Sequence, residues 1–328
     1  MNYKPIIIVH GEPNSIFLEI FFKSLKSKKI VSPLILISSL KLVKLQMKRL
    51  NYNKKIKSIN YKNLRNFKLD NKTINLINVD YKTNTPFKKI SRDSSLFINN
   101  CFKIAIKIIN LGLTNKLING PISKKHFLKK KFPGITEYLA SNFKINNVGM
   151  LIYNSKLSVL PLTTHLPIKM VAKSLSKKLV YNKIKLINDF YLNFLGFKPK
   201  IAILGLNPHC ESIDMRNEDE KIIKPAVNFL KKKGFQIFGP YPADTIFLKS
   251  NRKKFNVIVG IYHDQVLTPI KTIYEYDAIN ITLGLPILRI SPDHGPNEKM
   301  MGKNLSNPLS LIKAIQFLEK HWSRLKKV

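Results

Sequence analysis

The chain has 328 residues and a mass of 37.8 kDa, with 44% hydrophobic, 10% aromatic and 23% charged residues. That is enough apolar material for one large core or two medium ones, and it excludes disordered and collagen-like chains. Lys and Arg total 57 against 19 Asp and Glu, a formal charge of +38, but 50 of the bases are Lys and only seven are Arg. They are dispersed over nearly every polar segment, which reads as solvated faces and not as a nucleic-acid surface, where forked Arg donors cluster.

In chain order, apolar runs predict strands at Ile6–Val9, Leu34–Ile37, Ile74–Val79, Lys116–Ile118, Met150–Tyr153, Val159–Leu162, Lys200–Leu204, Val257–Ile261 and Ala278–Leu283. Several are continuous, as a parallel sheet covered on both faces requires. Helix-length patterns fall between them at Ile16–Leu25, Ser94–Leu111, Lys124–Lys130, Ile168–Leu179, Lys183–Leu195, Glu218–Lys233 and Leu305–Lys320. In the second of these, Phe97, Ile98, Cys101, Phe102, Ala105, Ile108 and Ile109 recur at three and four and mark one packed face. Leu40–Leu69 is hardest to read and fits a helix plus an edge strand. Alternating strands and helices predict an α/β fold.

Cys101 and Cys210 are the only cysteines and neither lies in a CxxC pair; this argues against a disulfide scaffold or a thiolate zinc site and fits a reducing compartment. No run reaches the roughly 18 apolar residues of a membrane span, and the first apolar run is too short for a signal peptide. A cytoplasmic location without membrane or nucleic-acid partners is therefore expected.

Three histidines follow predicted strands: His165 in Leu162-TTHLP-Ile168, His209 in Gly205-LNPHCE and His263 in Gly260-IYHDQ-Val266. Open α/β sheets place ligands at these carboxyl ends, and three imidazoles with an open position suit a catalytic metal. Each taken singly also fits a helix cap or a satisfied loop residue, and separations of 44 and 54 residues match no local zinc motif. Asp264, beside His263, fits a further ligand, an orienting partner or a base.

Lys271, Asn280 and Arg289 then follow in order. A point charge, an amide and a forked donor suit a phosphate, and Arg289, flanked by apolar residues, needs a partner. Gly11-EPNS after the first strand leads into a helix; an anion at that helix start and a simple turn are both compatible with it. No Walker A pattern and no GxGxxG follows any strand, which disfavours P-loop ATP use and a Rossmann dinucleotide site.

The stretches Asn119-GPI-Ser123, Pro133-GITEYLA-Ser141, Leu162-TTHLPIK-Met170, Gly205-LNPH-Cys210, Gly239-PYPADTIF-Leu248, Tyr262-HDQ-Val266, Ile279-NITLGLP-Pro286 through Arg289, and Asp293-HG-Pro296 occur in the order of a known family. In them the chain resembles the 4-hydroxythreonine-4-phosphate dehydrogenases of pyridoxal phosphate biosynthesis, within the isocitrate/isopropylmalate-dehydrogenase-like group, from about residue 5 to 320. The resemblance implies two α/β/α domains, 1–134 plus 282–328 and 135–281, with the active site in the cleft between them. The second domain would carry the metal-site histidines and the contacts of a homodimer with shared active sites.

The resemblance also implies one divalent cation (Zn, Co, Mg or Mn) held by His165 and His209 of one chain and His263 of the other. Thr136, Lys271, Asn280 and Arg289 match substrate-binding positions, and Asp244 matches an acidic residue near the substrate; the catalytic candidates are Asp244, Asp264 and Lys271, with the base that takes the hydroxyl proton left open between the two aspartates. NAD would bind without a glycine fingerprint, at contacts the motifs do not identify. The implied reaction is oxidation of 4-phosphohydroxy-L-threonine at C3 followed by decarboxylation. A related dehydrogenase of a four-carbon phosphosugar acid (4-phosphoerythronate or 4-phosphothreonate) and a low-activity relative are the alternatives. Three departures bear on that choice. Ile135 stands where the family usually has histidine, Cys210-ESIDMRNEDE replaces a glycine-rich continuation, and bulky Ile16, Phe17 and Leu18 follow Gly11-EPNS.

Overall fold

The computed structural model describes residues 4–27, 29–128, 132, 134–211, 213, 217–292 and 294–320. Pro133, Asp293, residues 129–130 of one expected helix, and residues 212 and 214–216 of the stretch after His209 lie outside the described residues. The described strands are β1 (Ile6–Val9), β2 (Leu34–Ser38), β3 (Ile56–Ser58), β4 (Ile74–Asn78), β5 (Lys116–Asn119), β6 (Gly149–Tyr153), β7 (Ser158–Pro161), β8 (Ile201–Leu204), β9 (Ile237–Tyr241), β10 (Val257–Gly260), β11 (Ile279–Leu283) and β12 (Leu288–Pro292). The chain forms two compact units, one taking the chain up to Ile135 and again from Pro286, the other Thr136–Leu285.

In the first unit the strand order is β3-β4-β2-β1-β5-β12, and every neighbouring pair is parallel. Parallel pairing demands crossover helices on the faces, so the central strands are largely apolar: all of Ile6–Val9 and of Leu34–Ile37 is buried. Helix Ser94–Asn110 turns the predicted stripe inward, with Phe97, Ile98, Cys101, Phe102, Ala105 and Ile108 buried and Ile109 half-buried. Truncating one such residue to alanine removes about 2–5 kcal/mol of stability. The difficult Leu40–Leu69 segment resolves into helix Leu40–Arg49 and edge strand β3. Ser39 caps that helix by accepting from the Leu42 N–H, and Lys48 and Arg49 face the dipole at its far end.

The second unit orders its strands β11-β6-β7-β10-β8-β9. Here β11 and β6, and β6 and β7, are antiparallel, whereas β7, β10, β8 and β9 run parallel. Its core gathers Ile152, Leu157, Val159, Ala202, Leu204, Ile258, Val266, Leu267 and Ile270, among others. The α/β class expected from the alternating runs is thus observed, with antiparallel pairs β11–β6 and β6–β7 added to the parallel ones.

Several boundaries also differ. β9 and β12 escape a hydrophobicity reading because Gly239 and Pro240 interrupt one, at the sheet edge where proline is tolerated, and Arg289 interrupts the other. Helices Ile135–Asn142 and His263–Tyr274 were not expected, the second because Pro269 lies inside it. The expected helices Ile168–Leu179 and Lys183–Leu195 are cut elsewhere, at Ile168–Ser174 and Lys177–Phe190, because Ser176 accepts from the Leu179 N–H and starts a new helix. The segment expected as helix Lys124–Lys130 is a π-type turn over Lys124–Leu128. The helix expected from Leu305 begins at Leu309.

Candidate functional site

β7, β10 and β8 are consecutive neighbours in one sheet, registered so that Val259 pairs with both Leu160 and Ile203. Their carboxyl ends therefore emerge side by side, and each leads into a histidine: His165 after β7, His263 after β10 and His209 after β8. His165 and His209 both hold left-handed backbone, φ 56°. That conformation costs a non-glycine residue about 1–3 kcal/mol and concentrates at functional sites. His263 is the first residue of helix His263–Tyr274, a correction to its expected loop position.

The His165 and His263 rings lie 5.7 Å apart, centroid to centroid, at 38° within the one chain. His263 Nδ1 shares a 2.6 Å hydrogen bond with Asp264 Oδ1. A carboxylate on Nδ1 fixes the ring's tautomer and turns Nε2 outward as the ligating nitrogen. His165 and His209 are exposed and His263 is half-buried, so all three can be reached. Two imidazoles at this spacing suit one cation. No group of three His, Cys, Asp or Glu side chains is gathered around one point among the described residues.

Asp219, which hydrophobicity and motif reasoning passed over, supports the His209 loop. Fully buried, its carboxylate accepts from the Leu206 N–H at 2.9 Å, the Asn207 N–H at 3.0 Å and Asn207 Nδ2 at 2.8 Å. Gly205 is required beneath it, because a Cβ there would meet Cys210 Sγ at 2.7 Å and Asp219 Oδ1 at 2.9 Å. Only its place among the acidic residues after His209 could have pointed to Asp219.

Asp244 is exposed in the first turn of the short helix Ala243–Ile246, and Lys271 is exposed two turns beyond His263. Asn280 and Thr282 share one face of β11. Thr136, buried, has its hydroxyl 3.5 Å from that of Thr282. Asn280 Oδ1 is buried and has no hydrogen-bond partner among the described residues. Arg289 is fully buried on β12 of the first unit, and its Nε donates to Asn119 Oδ1 at 2.7 Å. The partner that its apolar surroundings required is thus Asn119. Lys271 and Asn280 belong to one unit and Arg289 to the other.

The Gly11-EPNS turn is closed internally. Ser94 Oγ donates to Glu12 Oε2 at 2.9 Å, the Asn14 N–H donates to Glu12 Oε1 at 3.2 Å, and Ser15 Oγ donates to the Glu12 carbonyl. A buried carboxyl here makes an anion site unfavourable, which favours the plain-turn reading. Burial raises Glu12 to about 7 against the hydrogen bonds from Asn14 and Ser94, and lowers His10 to about 3.

These shifts have opposite consequences. A carboxyl raised in the folded state contributes fully below its ordinary 4.5, and the contribution is lost as pH climbs to about 7. The depressed imidazole contributes fully above its ordinary 6.5, and this is lost as pH falls towards about 3. Between 4.5 and 6.5 the two slopes oppose each other. Glu12→Gln is therefore expected to unmask stability that rises with pH across that window, and to gain up to about 3 kcal/mol above neutrality. Thermal unfolding of both proteins against pH checks this; parallel curves would refute it.

No helix among the described residues is long and apolar enough to cross a membrane. An α/β sheet that delivers imidazoles from the carboxyl ends of neighbouring parallel strands is the architecture of an α/β enzyme. The family model described as pyridoxal phosphate biosynthetic protein PdxA matches residues 29–318. A 4-hydroxythreonine-4-phosphate dehydrogenase from Sulfurihydrogenibium sp. is 37% identical over 319 residues, covering 95% of this chain and 96% of the relative. A D-threonate 4-phosphate dehydrogenase from Salmonella typhimurium is 31% identical over 303 residues, covering 90% and 92%. The crystal structure of a 4-hydroxythreonine-4-phosphate dehydrogenase from Burkholderia phymatum superposes with a TM-score of 0.76 at 27% identity, covering 96% of this chain and 97% of that one. The chain belongs to the PdxA family.

Proposed function

We propose that the chain is an NAD-dependent, divalent-cation-dependent dehydrogenase of 4-phosphohydroxy-L-threonine in pyridoxal phosphate biosynthesis. It oxidises C3, and the β-keto acid formed loses CO2 to give 3-amino-2-oxopropyl phosphate. Full-length likeness to the Sulfurihydrogenibium relative supports the substrate. The observation that carries the chemistry is that His165, His263 and His209 each follow one of three strands that are neighbours in the sheet.

His165, His209 and His263 would hold the cation, which when bound supplies Lewis acidity to the hydroxyl being oxidised. Asp264 keeps the His263 ring oriented. Because Asp264 is engaged in that bond, Asp244, whose carboxylate is exposed, is assigned to take the hydroxyl proton while hydride leaves C3 for NAD. Thr136 and Asn280 would supply polar contacts, and Lys271 and Arg289 the positive charge for phosphate. Zn, Co, Mg and Mn all remain candidates for such a site. Lys271→Ala is expected to raise KM for the phosphorylated substrate about tenfold or more with a smaller change in kcat, as steady-state rates will show.

A second reading is dehydrogenation of a four-carbon phosphosugar acid, favoured by the Salmonella relative and by Ile135, which can neither donate to phosphate nor move a proton. Rates of NAD reduction with phosphohydroxythreonine, 4-phosphoerythronate and 4-phosphothreonate, with and without added cation, separate the two. Cation-dependent turnover of only the latter pair would overturn the first reading.

The working form is a homodimer with shared sites. The exposure of His165 and His209 supports this, since a second copy can approach them. Mixed dimers of His165→Ala and His263→Ala chains are then expected to regain one intact site and measurable cation binding. No recovery would mean that the pair seen within one chain serves the same cation.

A further inference from the structure

We propose that Gln265 is a positioning residue for the shared cation sites, fixing within each chain the His209 loop against the start of the His263 helix, so that the two histidines are held at a set spacing for the two sites they serve; this rests on the cation reading above. Its side chain bridges two strand ends. Oε1 accepts from the Ile261 N–H at 2.7 Å, and Nε2 donates to the Gly205 carbonyl at 2.8 Å.

The first contact is local. Gln265 is the third residue of helix His263–Tyr274, whose cap residue Tyr262 provides no side-chain hydrogen bond. A glutamine there reaches back over the first turn as in a capping box, here to the residue before the cap. That bond alone would make Gln265 a helix starter.

The second contact exceeds what a cap needs. Gly205 lies 60 residues away in sequence, directly after β8 and four residues before His209. From Leu206 the same loop is held by the Asp219 carboxylate. One amide therefore sets the level at which the β10 loop, bearing His263, and the β8 loop, bearing His209, leave neighbouring strands. Two hydrogen bonds of opposite polarity define that level, and among uncharged side chains of this length only glutamine supplies both. Gly260 keeps the space open, since a Cβ there would approach Gln265 Oε1 to 3.2 Å and Val266 Cγ1 to 2.5 Å. Residues that orient metal ligands typically change metal affinity about 10–100-fold when replaced.

The test uses the full chain, stripped of metal and titrated with Zn2+ or Co2+ against a chromogenic chelator. Gln265→Leu removes both bonds. Gln265→Glu keeps acceptance from Ile261 but sets a carboxylate oxygen against the Gly205 carbonyl, so the helix start survives while the bridge breaks. Both variants are expected to bind the cation about 10–100-fold more weakly, with substrate KM at saturating cation unchanged. The metal-free Glu variant should melt close to wild type. Wild-type cation affinity in Gln265→Glu would overturn the proposal, as would loss of substrate affinity in step with cation affinity. A wild-type chain that binds no cation, or whose affinity His165→Ala leaves unchanged, would instead overturn the cation reading itself.

Discussion

Replacing His165 with alanine is expected to abolish stoichiometric cation binding and to lower NAD reduction by roughly 10³-fold or more, about 4 kcal/mol of transition-state stabilisation. The reasoning starts from the backbone. His165 holds φ 56°, a conformation kept only where the surroundings enforce it. Its ring lies 5.7 Å from that of His263, and substitution removes one of the three imidazoles proposed for the cation. Alanine at positive φ also carries strain, which would blur the result. His165→Asn is the control, because asparagine tolerates left-handed backbone. Metal content after dialysis and steady-state rates of both variants give the comparison. If the Asn variant retains full metal content and rate, His165 has no ligand role.

Asp219→Ala is expected to be the most destabilising single change near the site, by about 2–4 kcal/mol. The carboxylate is fully buried and accepts three hydrogen bonds from the Leu206–Asn207 turn. Its loss strands two backbone donors and an amide in a region with little water. Asn207 begins the turn that places His209 in its left-handed conformation, so cation affinity should fall along with the melting temperature. Asp219→Asn, which still accepts through one oxygen, should fall between the alanine variant and wild type. Equal melting temperatures for Asp219→Ala and wild type would show that the turn holds itself.

The fold's elements were largely legible where apolar runs were unbroken. Ile6–Val9, Ile201–Leu204 and Val257–Gly260 are buried from end to end, so hydrophobicity alone identifies them. Arg289 hides β12 because a charge interrupts the run, and its partner Asn119 is 170 residues away; no local pattern encodes that pairing. The histidines could be placed after strands, but that those strands are neighbours could not be read, because it depends on sheet order. In sequence the strands run β7, β8, β10, whereas in the sheet β10 lies between the other two. Glu12 and His10 illustrate a different limit: a carboxyl beside a glycine reads as a loop group until packing shows it enclosed.

The central insertion of β10 also governs assembly during synthesis. Until Val257–Gly260 leaves the ribosome, β7 and β8 face one another across a missing strand, each with an open hydrogen-bonding edge. His165 and His209 exist by then but have no shared framework. On the cation reading proposed above, loading is expected only after the late strand closes this gap, and a chain terminated before it is expected to be sticky and unable to capture an ion.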